Sequence, residues 1–257
     1  MKRFLSFHWP VRLALLGALV ALVALLLGGV VLPATVLAAP RICDVHCVIT
    51  YGDTRITERQ AALAKLGSAI SDRAKDKHIT SDQANSLQSD VATNQTGLAA
   101  LKTKLDAETQ ASAARQDVKN IYEQFRIYAV VLPRDYRTLE LDIEINVGHT
   151  LKDLEPKLQT AIDSAPSGIK DQLTSLYNDY VLQVANAEGQ IDAAQGQLPE
   201  LTPTNFNTNQ TGYKTALTNL RNDVHTASKD LHQAGKDLHQ MRELLKGAGG
   251  TAPTATP

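Results

Sequence analysis

Ile121-Tyr-Glu-Gln-Phe-Arg-Ile-Tyr-Ala-Val-Val-Leu132 is the densest stretch of large apolar side chains beyond the N-terminal segment. Taken with the turns before it, Ala114, Val118, Ile121, Phe125, Tyr128 and Leu132 recur four and three residues apart. That spacing places them along one stripe of an α-helix. Tyr122, Ile127, Val130 and Val131 widen the stripe until most of the circumference is apolar, and a helix of that kind is a buried one. Residues 114–132 are therefore expected to form a single central helix with the others packed around it. Pro133 should end or kink it, because proline lacks the N–H and clashes with the preceding turn.

Towards the N-terminus, a first helix is expected from about residue 54 or 57 to 77, with Ile56, Leu63, Leu66, Ile70 and Ala74 facing inward. His78-Ile-Thr is a turn, and Thr80 followed by Gln83 is a capping box that starts the next helix. There Leu87, Val91, Asn94, Leu98, Leu101 and Leu105 continue the four-three alternation. Asn94 is the one polar member, of the kind that fixes register at a cost in stability. The chain either bends near residues 106–112 or runs straight on.

On the other side of Pro133, Leu139, Leu141, Ile143, Ile145 and Val147 alternate strictly with polar residues, as in a half-buried strand. Leu139, Ile143, Val147 and Leu151 also form an i, i+4 row, and a lone strand would find no partner in this chain. Helix is the expectation, continued through Leu154, Leu158 and Ile162 with a kink at Pro156. A further helix over residues 169–197 carries the seam Leu173, Leu176, Tyr180, Val184, Ala187, Ile191 and Ala194. After a loop bounded by Pro199 and Pro203, a last helix near residues 208–246 runs from Tyr213 to Leu245 in unbroken four-three steps. These seams predict an all-α fold, an elongated antiparallel helical bundle with coiled-coil-like heptad seams.

The ends of the chain carry the address. Lys2, Arg3 and Arg12 precede an apolar run at residues 13–32, and Val36-Leu37-Ala38 fits a signal-peptidase site. Residues 1–38 thus read as a signal peptide, or, since the run approaches bilayer-spanning length, as an uncleaved membrane anchor. Residues 39–53 read as an irregular segment holding both cysteines, residues 54–246 as the bundle, and residues 247–257 as a disordered low-complexity tail. The expected location is extracytoplasmic, secreted or associated with the cell envelope, with membrane contact only through residues 13–32 if the signal is not cleaved.

Of the 257 residues, 26 are Lys or Arg and 27 are Asp or Glu; residues 1–38 hold three of the former and none of the latter. The remainder has 23 against 27, a net charge near −4 with His neutral, which argues against nucleic acid as a partner. Trp9 is the only tryptophan, so a processed chain has no Trp platform for a glycan or quaternary ammonium.

Cys43-Asp-Val-His-Cys47 admits three readings. In an exported chain two cysteines most simply form a disulfide; with His46 they could form a metal hook, or they could join two molecules. The heptad repeat that begins at Val224, Leu231 and Leu238 places His225, His232 and His239 on one flank of the last helix, a candidate metal or pH-sensing ladder. Residues seven apart are separated by about 10.5 Å along the axis, however, whereas zinc ligands lie within about 2.1 Å of the ion. An exposed stripe is the simpler reading. Tyr122, Tyr128 and Tyr136 could line a small pocket or be core aromatics with hydroxyls at the edge. Glu123 and Arg126 can pair across one turn or reach the surface. Glu140, Asp142 and Glu144 lack the glycine-containing loop of a calcium site and read as a solvated face. Thr-Asn-Gln-Thr-Gly occurs at both Thr93 and Thr208, a hint of duplication, and each copy holds a glycosylation sequon.

The run from Tyr122 to Pro133, and the pattern from Leu173 through Ala187 to Pro203 before a long heptad helix, resemble segments of Ala-rich exported helical-bundle proteins of high-GC Gram-positive and related bacteria. That family has no assigned activity, so the resemblance implies no site residue; residues 139–147 depart from it in having little Ala. No nucleophile elbow, phosphate loop or His-Glu-x-x-His helix is present. The leading expectation is a non-enzymatic structural or protein-interaction bundle, with no cofactor, that binds a protein partner or self-associates. A ligand- or metal-binding bundle, using its interior or the His flank, is the alternative. An enzyme with a scattered site is the third class.

Overall fold

The computed structural model describes residues 43–249. The expected signal or anchor at residues 1–38, and residues 250–257 of the expected tail, lie outside the described residues. Those described form an all-α helical bundle with no strand among them.

Helix α1 spans Val45–Lys75 and α2 spans Ser81–Asp106. They are joined by a turn in which Lys77 is left-handed (φ 58°) and His78 N–H donates to the Arg73 carbonyl. Thr80 and Gln83 form the expected reciprocal capping box. Helix α1 starts well before the expected residue 54, so residues 39–53 are not irregular throughout. The reason is Asp44, whose carboxylate caps the Cys47 N–H at 2.9 Å. The added turns bury Val48 and Gly52 in the α1 seam. Neither cysteine is free; both are disulfide-bonded, as a Cys43–Cys47 bridge across the first turn of α1.

The chain bends after Asp106, and α3 spans Ala111–Glu123. The expected single helix over residues 114–132 is broken. Arg126 is left-handed (φ 47°, ψ 37°), and a π-helical turn, Ile127–Val131, leads into α4, Leu132–Lys152. Pro133 accordingly falls where the π-turn passes into α4, and the Ala129 carbonyl, four residues before it, accepts instead from the Tyr213 hydroxyl at 3.1 Å. After α5 (Glu155–Asp163) come α6 (Ser167–Gln197), a 3₁₀ turn (Leu198–Glu200), the short α7 (Pro203–Thr208) and α8 (Gln210–Gly247). Pro156 and Pro203 sit in first turns.

The central element is therefore α4 and not the 114–132 stretch: it packs on α6 and α8 and also touches α1 and α2. Its alternating sequence follows from that position. At 100° per residue, Leu139, Ile143 and Val147 fall within one 80° arc, and Leu141 and Ile145 lie roughly opposite. A helix between two layers needs two apolar faces, and period-two alternation supplies them. Leu141 and Leu151 join the core of α6 and α8, built from Leu173, Tyr180, Val184, Ala187, Leu220, Val224, Ala227, Leu231 and Met241. Gly148 approaches Ile191 and Leu231 there. From the other side Asn146 donates to the His78 carbonyl and to Gln83 Oε1, both at 2.9 Å.

The seam of α2 holds without its polar member acting across it. Asn94 donates to the Asp90 carbonyl of its own helix at 2.9 Å and does not fix register with a neighbour.

Candidate functional site

The break at residues 124–126 assembles the most distinctive side-chain cluster. Helix α1 contributes Tyr51, Arg55 and Arg59, one turn apart on one flank. Arg59 occupies a seam position, three residues after Ile56 and four before Leu63, and is only 6% exposed. Its guanidinium carbon lies 4.6 Å from the ring centroid of Tyr122 and 5.1 Å from that of Tyr128. Its Nη1 donates to the Arg55 carbonyl at 2.9 Å, while its Nε is buried with no hydrogen-bond partner.

No carboxylate pairs with Arg59 among the described residues. Arg55 lies over the Tyr51 ring at 4.9 Å and is neutralised by Glu58 at 2.9 Å. The hydroxyls of Tyr51 and Tyr122 are 2.9 Å apart. Burial, and then the bond to Tyr51, push the Tyr122 hydroxyl up to about 12, so it stays protonated. Tyr128 is half exposed and donates to the Glu58 carbonyl at 3.2 Å.

Contacts from α7 fix the chain at the break. Asn207 on α7 donates to the Glu123 carbonyl, an orphan at the end of α3, at 2.8 Å, and accepts from Arg126 Nε at 2.8 Å. The Arg126 guanidinium also lies over the Phe206 ring at 4.8 Å. The Arg126 carbonyl accepts from Val130 N–H at 2.8 Å and, at longer range, from Ala129 and Val131. Gly97 leaves room for Phe125, whose Cε1 would lie 2.5 Å from a Cβ there.

Tyr122 and Tyr128 thus meet, as the tyrosine reading allowed, but around Arg59. Tyr136 makes no hydrogen bond or ring contact with them. Glu123 pairs with Lys119 at 3.5 Å and not with Arg126. Sequence reasoning missed Arg59 because it read the α1 seam for apolar residues only. A cation at a seam position was the available signal.

The other candidates stay apart. His225, His232 and His239 are exposed along α8, and His239 lines an open groove with Ile169, Gln172, Glu243 and Leu244. His46 is exposed beside the disulfide. No group of three or more His, Cys, Asp or Glu converges on a metal position among the described residues. The acidic run on α4 is not a solvated face. Glu140 pairs with Arg137, but Asp142 is partly buried near Gln83, and Glu144 is buried near Ser228. Burial lifts the Asp142 carboxyl to about 6 and the Glu144 carboxyl to about 7. Two turns earlier, Asp135 is buried against Arg134 and Asp90, and desolvation outweighs the Arg134 charge to hold it at about 7. Packing each carboxyl against a neighbouring helix is what the one-dimensional pattern could not show.

The fold and this cluster define a helical bundle with a buried, carboxylate-free arginine under a half-exposed tyrosine. No protein-family model, curated protein or solved structure matches the chain.

Proposed function

We propose that this protein is an exported, non-enzymatic structural or interaction bundle of the cell envelope or secretome, and that it contacts a protein partner through the surface around Tyr128. One observation carries the reading. Tyr128 stands half exposed at a backbone break, bonded to the Glu58 carbonyl and with the Arg59 guanidinium over its ring. Tyr and Arg dominate the energetics of protein contacts, because each presents a large rigid surface with a polar end. A left-handed non-glycine residue and a π-turn at the same point fit a functional position, where such conformations concentrate.

The test is a photo-crosslinking residue placed at Tyr128 in producing cells, with Asn186 on the exposed flank of α6 as the control. A discrete protein adduct from position 128 alone is the expected result. Equal adduct patterns from both positions, or none from either, would overturn the proposal.

A further inference from the structure

We infer that the Arg59 cluster is a receptor for a carboxylate, an acidic side chain or C-terminus of the protein partner, taken side-on by Nε and Nη2 of Arg59. The identity of the carboxylate's owner rests on the interaction reading above; the carboxylate site itself does not.

The geometry of the guanidinium points to this ligand. The guanidinium carbon is held over the rings of Tyr122 and Tyr128, and the Nη1 end is committed to the Arg55 carbonyl. What remains is the Nε and Nη2 edge, where two parallel N–H groups match the two oxygens of a carboxylate. That edge makes no hydrogen bond among the described residues, and its Nε is wholly buried. A buried cation without an anion is costly unless one is supplied.

Charge balance favours a monoanion. Glu58 neutralises Arg55, which leaves the single charge of Arg59 under the tyrosines. Phosphate sites usually gather several cations or a row of backbone N–H groups, and here one guanidinium stands alone. The Tyr51 and Tyr122 hydroxyls share one hydrogen bond, so one O–H proton is left to donate. Entry requires the cover to move. Tyr128 is that cover, because it is half exposed and tethered by one bond to a surface carbonyl.

The Nε–H of a buried arginine gives a resolvable ¹⁵N–¹H signal, and that of Arg59 reports the site directly. The full processed chain is titrated with a capped peptide containing a single glutamate, with its glutamine counterpart, and with inorganic phosphate, all at constant ionic strength. A saturable shift at Arg59 with the glutamate peptide alone, half-complete at about millimolar concentration, is the expected result. Arg59→Lys keeps the charge but loses the fork, and should weaken binding roughly tenfold. Tyr128→Ala should tighten it by removing the cover. A shift with phosphate alone, or equal shifts with both peptides, would overturn the carboxylate assignment. No shift with any probe would make Arg59 an internal clamp and overturn the inference, whatever the crosslinking result. Conversely, a clear glutamate response without a protein adduct would leave the site standing and remove only its protein partner.

Discussion

Gly52 and Gly189 both lie inside long helices, and they carry opposite predictions. A Cβ at Gly52 would stand 2.4 Å from Leu105 Cδ2 and 2.9 Å from Val118 Cγ2, where α1, α2 and α3 meet. At Gly189 nothing lies within 4 Å. Gly52→Ala should therefore destabilise by about 1–3 kcal/mol through overpacking. Gly189→Ala should stabilise by up to about 1 kcal/mol through helix propensity. Urea unfolding midpoints of the two variants check both signs. Asn207 is the third residue of this kind. Its amide serves both sides of the 124–126 break, so Asn207→Ala should cost about 1 kcal/mol, water replacing part of what is lost. Its further signature is faster amide exchange confined to the π-turn and the end of α3.

Among the elements, α4 decides the response to pH. The carboxyls of Asp135, Asp142 and Glu144 all sit above their ordinary values, near 7, 6 and 7, because burial disfavours the charged form. Between the unfolded values near 4 and these folded values, the folded state holds more protons than the unfolded chain. Stability is then fully present below about pH 4 and falls as pH rises through 6 and 7. Thermal unfolding midpoints should be several degrees higher at pH 5 than at pH 8, at about 2–4 °C per kcal/mol for a chain of this size. Asp142→Asn with Glu144→Gln should flatten that slope. A profile rising from pH 5 to pH 8 in the parent would contradict the placement of these groups. The N-terminal end of α1 makes a smaller demand. A bridge closing the five residues from Cys43 to Cys47 contributes about 2 kcal/mol at most by loop entropy. Its reduction should release exchange protection only in the first turns of α1.

On the scale of the whole molecule, the two sides of α4 differ in kind. Against α6 and α8 it meets a continuous aliphatic core, with Tyr180 buried in it and donating to the Leu151 carbonyl. Against the α1–α2 hairpin it adds polar links, Asn146 to His78 and Gln83, and Arg134 to Asp90. Apolar burial is the larger and less exchangeable term. Native-state hydrogen exchange should show α6 and α8 opening only with global unfolding, and α2 opening at a lower free energy. Simultaneous opening of both would show a single cooperative unit instead.

The sequence alone determined the helices and their buried seams, since a four-three spacing of apolar side chains buries one stripe wherever the helix is placed. It also determined the Thr80 capping box and made the Cys43–Cys47 bridge the simplest reading of the two cysteines, both local matters. It did not determine where a helix stops for tertiary reasons. Thr-Asn-Gln-Thr-Gly is helix interior at Thr93, where Gly97 receives the Phe125 ring, and spans a helix end at Thr208, where Asn209 caps Gly212. Five identical residues take two conformations because their neighbours differ. The break at Arg126 has the same origin: Asn207 and Phe206, some eighty residues away, hold a left-handed arginine that local pattern would continue as helix. Arg59 meets Tyr122 and Tyr128 only once that break has turned the chain. The candidate site is thus a product of long-range packing, whereas the bundle that carries it is written in local periodicity.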